Sequence, residues 1–179
     1  MGRSTISIIA LLVGLCVGVI TAINALGAVG LKPVTESPRW AEWQLESNSS
    51  TLIYALGHFL GDGGLPPPKS ARYFVRSTDE DGNGLRADCV YEVQGKVTPA
   101  RWWTLSVAQD GQQSPHSELT AGEAVIAQDE MLHVFLSAHP MPGNWIVPPD
   151  SNSMTLRYII NEPTQDETVS LPSITKSGC

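Results

Sequence analysis

Positive charge is scarce in this chain. Eleven of its 179 residues are lysine or arginine against eighteen aspartate or glutamate, a formal net charge of −7. That deficit excludes the basic surface on which nucleic-acid binding depends, and a polybasic contact with anionic lipid as well. Charge of either sign is low at 16 %, while 42 % of residues are hydrophobic. A disordered chain shows the reverse balance. Local catalytic signatures are missing too. There is no Gly-x-Ser-x-Gly elbow, no His-Glu-x-x-His, no P-loop and no dinucleotide glycine fingerprint. No catalytic residue, metal site or cofactor is therefore expected.

The amino-terminal segment stands out against this background. Between Arg3 and Lys32 no residue is charged. As a helix this run rises about 42 Å, against roughly 30 Å of bilayer hydrocarbon. A cleaved signal peptide would have a shorter apolar core and an Ala-x-Ala-like site; the small residues from Ala25 to Ala28 offer no clean one. Residues 1–31 are expected to be an uncleaved transmembrane anchor. Arg3 alone supplies charge on the short side, which puts the amino terminus in the cytoplasm and the remaining chain outside. Gly14 and Gly18 form a Gly-x-x-x-Gly pair, a spacing common in membrane helices generally.

The remainder, roughly 150 residues, is the size of one domain with its own core. Residues 32–70 are broken by Pro33, Pro38, Asn48-Ser49-Ser50, Gly63-Gly64 and Pro66-Pro67-Pro68. They read as a linker with two short helices. Ser37-Pro38 offers an N-cap and first-turn proline, with Trp40 and Trp43 on one face; the second helix runs from about Ser50 to Leu60. From residue 71 the period becomes two. Tyr73 and Val75 share a face; Leu85, Ala87, Cys89, Tyr91 and Val93 alternate, as do Trp103, Leu105 and Val107. Leu132, Val134 and Leu136 follow the same pattern, then Met154, Leu156, Tyr158 and Ile160. Residues 71–179 are expected to form an antiparallel β-sandwich whose polar tail, from Glu162, lies across it as a strap.

Several short stretches invite a functional reading. Asp79, Asp81 and Asn83 before Gly84 mimic the first half of a calcium loop, but the closing position holds Val90 rather than glutamate, so a plain turn is expected. His58, His116, His133 and His139 stand singly, and a metal needs several ligands together. Trp102 and Trp103 point to opposite faces. Trp103 belongs to the core, while Trp102 could line a groove, lie beneath a helix, or meet Trp40 or Trp43. The turn at Asn144-Trp145 follows Pro140, Pro142 and Gly143. Trp145 is expected to close one end of the sandwich, with Asn144 bonded to loop backbone. Trp102, Asn144 and Trp145 are the candidate ligand-binding residues. Cys89 and Cys179 form a disulfide if the domain is exported; a buried free Cys89 and a free terminal thiol are the alternative.

Read in order, Leu85-Arg86-Ala87-Asp88-Cys89-Val90-Tyr91, Arg101-Trp102-Trp103-Thr104-Leu105, Gly143-Asn144-Trp145 and Thr155-Leu156-Arg157-Tyr158 resemble the bacterial family called domain of unknown function 1214. The likeness runs from about residue 40 onward. Within the family it is strongest to short envelope proteins with one membrane segment and a Leu-Pro-x-Ile…Cys tail, as in Leu171 to Cys179. Where the family usually has Tyr-Asp after the Trp-Trp strand, this chain has Gln109-Asp110, and Ile146-Val147 intervene before Pro148. The resemblance implies a jelly-roll type of β-sandwich with helices at one side, and no known reaction. The expectation is a non-catalytic protein of the inner membrane, single-pass, with its domain in the periplasm, binding an envelope protein or glycan. An envelope carbohydrate-active enzyme is the alternative. It would need two converging carboxylates, and Asp88 with Glu92 is the one pair that shares a strand face.

If the segment is an anchor, the native protein retains residues 1–31. Intact mass of material purified from membranes checks this: a mature start near Leu26 or Val29 would make the segment a signal peptide.

Overall fold

The computed structural model describes residues 3–29, 35–37, 39–43, 70–110, 112, 114–163 and 169–179. Arg3–Val29 is one α-helix, α1. In it Leu11, Leu12, Val13 and Leu15 are all exposed. The side chains described in α1 are those at 6–22 and 24. Among the described residues, no helix is long and apolar enough to cross a membrane.

Among the described residues ten strands follow, forming two sheets: β1 (Thr35–Ser37), β2 (Trp40–Trp43), β3 (Ala71–Arg76), β4 (Val90–Lys96), β5 (Ala100–Gln109), β6 (Ser117–Thr120), β7 (Met131–Leu136), β8 (Asn144–Ile146), β9 (Met154–Pro163) and β10 (Ser173–Gly178). One sheet has six strands in the order β1-β2-β3-β9-β5-β6; the other has four, β10-β4-β7-β8. All neighbours are antiparallel except β7 and β8, which run parallel. Residues of both sheets meet in one core that includes Tyr91, Val93, Trp103, Leu105, Leu136, Ile146, Leu156, Ile160 and Ile174. The arrangement is sandwich-like. Alternation places these residues inward because the strand period is two and one face of each sheet is buried.

The two open sides of the sandwich are closed by side chains. On one, the Ser117 hydroxyl of β6 accepts from Val147 N just beyond β8, at 3.3 Å. On the other, Trp40 is buried and its indole N–H donates to Pro172 O at 2.8 Å. Glu80 ties the same side. Its carboxylate accepts from Arg76 Nη1 at 2.8 Å, from Ile174 N at 3.2 Å and from Arg39, while its own N–H donates to Ile174 O at 2.8 Å. Gly95 is needed here because a Cβ would lie 2.8 Å from Pro172 Cα, inside contact distance.

Two expectations change. Residues 40–43 form a strand in place of the first expected helix. Ser37 pairs with Trp40 across a two-residue connection, and Ala41 to Trp43 pair with Val75 to Tyr73. Sheet pairing and burial of Trp40 override the local capping signal. The second expected helix, at 50–60, lies outside the described residues. Leu85 to Cys89 is a turn preceding β4: Leu85 N donates to Ser77 O, Arg86 N to the Tyr91 hydroxyl, and Cys89 N to Arg86 O. Leu85 and Cys89 are buried all the same, and that burial produced the strand-like pattern. On β3, Tyr73 and Val75 share a face as expected, in a cluster with Ile159; the core-facing residue is Phe74, flanked by Arg72 and Arg76. Arg72 faces inward because Glu42 receives it, at 2.6 Å and 2.9 Å, and because its guanidinium lies 5.1 Å from the Phe74 ring centroid.

Burial opposes ionisation of Glu80, but the hydrogen bonds from Arg76 and Ile174 and the nearby charges of Arg76 and Arg39 outweigh it, so its pKa is lowered from 4.5. A lowered carboxyl pKa contributes stability that is present above the ordinary value and is lost as pH falls through the folded one. Urea unfolding should therefore show stability falling below about pH 4.5, where the unfolded carboxyl begins to take up protons. Glu80→Gln should be less stable at pH 7 by about 1–2 kcal/mol, allowing for screening at its half-exposed end, and should lose less on acidification. Parallel acid profiles for the two proteins would remove Glu80 from this role.

Candidate functional site

The outward faces of the two sheets differ. On the six-stranded sheet the outward-pointing Tyr73, Ser106, Ala108 and Arg157 are buried. The four-stranded sheet presents an open row across its strands: Trp145 on β8 stands in register with Phe135 on β7, Phe135 with Glu92 on β4, and Glu92 with Thr175 on β10. Because Val134, Leu136 and Ile146 point into the core, Phe135 and Trp145 point out, side by side on strands about 4.8 Å apart. A second polar row lies next to the first. Gln94 Nε2 is 3.0 Å from His133 Nε2, the Ser177 hydroxyl donates to Glu92 at 2.9 Å, and the Ser173 hydroxyl to Gln94 O at 3.0 Å. The face thus combines two half-buried aromatic rings with a carboxylate, an amide and an imidazole.

The Trp145 indole N–H donates to Ser137 O at 2.8 Å, which turns its ring toward the end where β7 and β8 finish. A cleft of about 510 Å³ opens at that end. Its floor includes Ala87, Ala138 and the buried Pro148 and Pro149; its rim carries Asp88, His116, Asp150, Ser151 and Asn152. The rim loop is held by bonds of its own, Ser151 N to Pro149 O at 2.8 Å and Ser153 N to the Ser151 hydroxyl at 3.3 Å. Arg86 forks onto Asp88, Nε at 2.9 Å and Nη2 at 2.5 Å. That hydrogen-bonded pair holds the exposed Asp88 carboxyl below its ordinary value.

The structure does not bring Trp102, Asn144 and Trp145 together. Trp102 is on the outward face of the six-stranded sheet, 42 % exposed, and its ring lies so close to Gly122 that a Cβ there would be 3.1 Å from it. Trp40 is on the opposite face of that sheet, so Trp102 does not meet it. Asn144 is buried, and its amide joins the β6–β7 loop to β7: Val125 N donates to Oδ1 at 2.7 Å, and Nδ2 donates to Val125 O at 2.6 Å and to His133 O at 2.8 Å. Trp145 points outward instead of closing an end, because its neighbours Asn144 and Ile146 take the inward positions. Phe135 and Asp150 were not singled out by sequence. Phe135 reads as one more outward strand residue until the parallel pairing sets it beside Trp145.

Asp79 is a turn residue. Its Oδ1 accepts from Asp81 N at 3.0 Å and from Asn83 N at 2.8 Å. Burial opposes its ionisation, and these bonds from Asn83 and Asp81 overcome it. Among the described residues no group of three or more His, Cys, Asp or Glu is placed to hold a metal ion. Asp88 and Glu92 are separated as well: Asp88 lies at the cleft in the turn before β4, and Glu92 on the open sheet face.

Cys89 and Cys179 are joined in a disulfide that closes 90 residues. Cys89 follows directly on the cleft residues Ala87 and Asp88, so the bond pins the end of β10 beside this wall.

The comparisons agree with the strand pattern. A family model described as a protein of unknown function, DUF1214, matches residues 70–165. No curated protein matches. Among solved structures, an uncharacterized protein from Burkholderia cenocepacia superposes with a TM-score of 0.51 at 19 % identity, over 62 % of this chain and 30 % of that one. The VPA0106 protein from Vibrio parahaemolyticus gives 0.53 at 17 % identity, over 69 % and 34 %. These likenesses concern the fold alone, and this chain spans about a third of the length of either protein.

Chain-entropy arithmetic for a loop of this size gives about 4–5 kcal/mol as a model-dependent upper figure for the disulfide. Cys179→Ser should lower the urea midpoint by a corresponding amount, and reduction of the parent protein should match it. An unchanged midpoint would show that β10 needs no tether.

Proposed function

We propose, for a chain that belongs to the DUF1214 family of proteins of unknown function, a non-catalytic role as a membrane-anchored envelope protein that binds glycan on the open face of its four-stranded sheet. The observation that carries this reading is the pairing of Phe135 with Trp145 across β7 and β8. Sugar rings present flat C–H faces that pack on aromatic rings, and their hydroxyls need fixed donors and acceptors nearby. Glu92, Gln94 and His133 stand beside the rings to meet them.

The anchor is α1. Its 27 residues rise about 40 Å, against roughly 30 Å of hydrocarbon. An isolated helix that is apolar all round has no water-facing side. The polar groups of Thr21 and Asn24 bond within the helix, to Val17 O at 2.7 Å and Ile20 O at 2.8 Å, as a lipid environment requires. Arg3 at the short end favours a cytoplasmic amino terminus. A disulfide persists in an oxidising compartment, which supports a periplasmic domain at the inner membrane. On this reading the chain is a short single-pass member of the family with a jelly-roll type of sandwich.

The full chain in detergent micelles, titrated calorimetrically with a β-1,4-linked N-acetylglucosamine tetramer, tests the proposal. Trp145→Ala and Phe135→Ala should each weaken binding at least tenfold. Trp145→Ala should destabilise the fold by only about 1–2 kcal/mol, less than the 3–5 typical of a fully buried aromatic, because the ring is half-exposed. Binding lost in Trp102→Ala and kept in both other variants would move the site to the six-stranded sheet. Absence of binding by the parent protein to this tetramer and to its unacetylated counterpart would overturn the glycan reading.

A further inference from the structure

We infer that the cleft beside Trp145 takes a protonated amine, so that the glycan preferred by the open face carries an unacetylated amino sugar. This rests on the glycan reading for its context, and on the cleft for its chemistry.

The cleft's volume, about 510 Å³, falls within the usual range for small-ligand sites and holds one or two sugar rings. Its floor of Pro148, Pro149, Ala87 and Ala138 offers C–H surface without hydrogen-bonding groups, which suits the face of a ring. Its rim is polar and carries net negative charge. The lining holds two carboxylates, Asp88 and Asp150, and neither lysine nor arginine. Arg86, which precedes Ala87 of the lining, forks onto Asp88, so that pair is close to neutral. Asp150 is the exposed carboxylate at the mouth, and the one basic side chain in the lining is His116. Ser151 and Asn152 follow it with a hydroxyl and an amide, in a loop fixed by its own bonds to Pro149 and Ser153.

A neutral N-acetyl group would bring a bulky amide to this carboxylate and gain little from it. An ammonium group brings a full charge and three donors to the same place. Continuity supports one ligand spanning both surfaces. Ala138 of the floor directly follows Ser137, whose carbonyl holds the Trp145 indole. A chain of sugars packed on Phe135 and Trp145 is thereby led over the end of β7 to Asp150.

The test uses the full chain in detergent micelles, at a pH where the sugar amine is protonated and at low ionic strength. Three probes are titrated: the N-acetylglucosamine tetramer, the glucosamine tetramer of equal length, and cadaverine as a bare diamine. The glucosamine tetramer should bind at least tenfold more tightly than its acetylated counterpart. Asp150→Asn should bring the ratio close to one. Asp81→Asn, an exposed carboxylate on the Asp79 turn, should leave the ratio intact, because general attraction to an acidic protein would respond to both changes alike. Equal binding of both tetramers overturns the amine inference and leaves the glycan reading standing. Cadaverine binding that depends on Asp150, with neither tetramer bound, keeps the amine site and overturns the glycan reading. A ratio reduced equally by Asp81→Asn and Asp150→Asn, or no binding of any probe, overturns the inference.

Discussion

One carboxylate holds the edge of this sandwich. Glu80 receives Arg39 from the β1–β2 connection, Arg76 from β3 and the backbone of Ile174 from β10, so it ties both sheets and the carboxyl-terminal strand at a single point. The Trp40 indole on Pro172, the pairing with β4 and the Cys89–Cys179 disulfide share the task. β10 is polar apart from Ile174, and an edge strand with one core residue gains too little from burial to hold its place. The charges that point inward at this edge, Glu42 and Arg72 as well as Arg76 and Glu80, also make it unsuitable for pairing with another chain.

Side chains close both sides of the sandwich, and the four-stranded sheet carries two half-buried aromatic rings next to each other on its outward face. The parallel β7–β8 pair does the essential positioning. Antiparallel strands can be joined by a tight turn, but β8 returns in the same direction as β7, and the Pro140–Gly143 connection makes that return. The result sets Trp145 beside Phe135 and places Pro148 and Pro149 at the strand ends, so one short strand supplies both the flat face and the adjoining cleft. Asn144 keeps this geometry fixed by bonding the Val125 loop and β7 through a single amide.

Strands β3, β5, β7 and β9 were legible in the sequence because each buries one face and exposes or covers the other with different chemistry, so period two survives in the residue types. β6 and β8 are too short to show a period. β10 buries only Ile174, so it read as a polar strap; extended it is, but hydrogen-bonded to β4. β1 and β2 were misread because Ser37-Pro38 is good helix-cap chemistry and because Trp40 and Trp43 stand three apart, as on one face of a helix. For the site, Trp145 could be picked out by residue type. Its partner Phe135 and the carboxylate of Asp150 could not, since their significance arises from a parallel pairing and a loop that no local pattern announces.

The order in which this polypeptide is made has a consequence for how it can fold. β4 is complete at Lys96, yet the strand that covers its edge begins at Ser173 and its covalent clip is Cys179. Through the synthesis of the intervening residues, that edge stays open and the core lacks Ile174. β3 likewise waits for β9, whose Asn161 pairs with Ala71. Such distant pairings are slow to form and leave unpaired strand edges exposed to neighbouring chains meanwhile. Assembly of the sandwich therefore waits until β10 has been made, and a product ending before it keeps an unpaired strand edge.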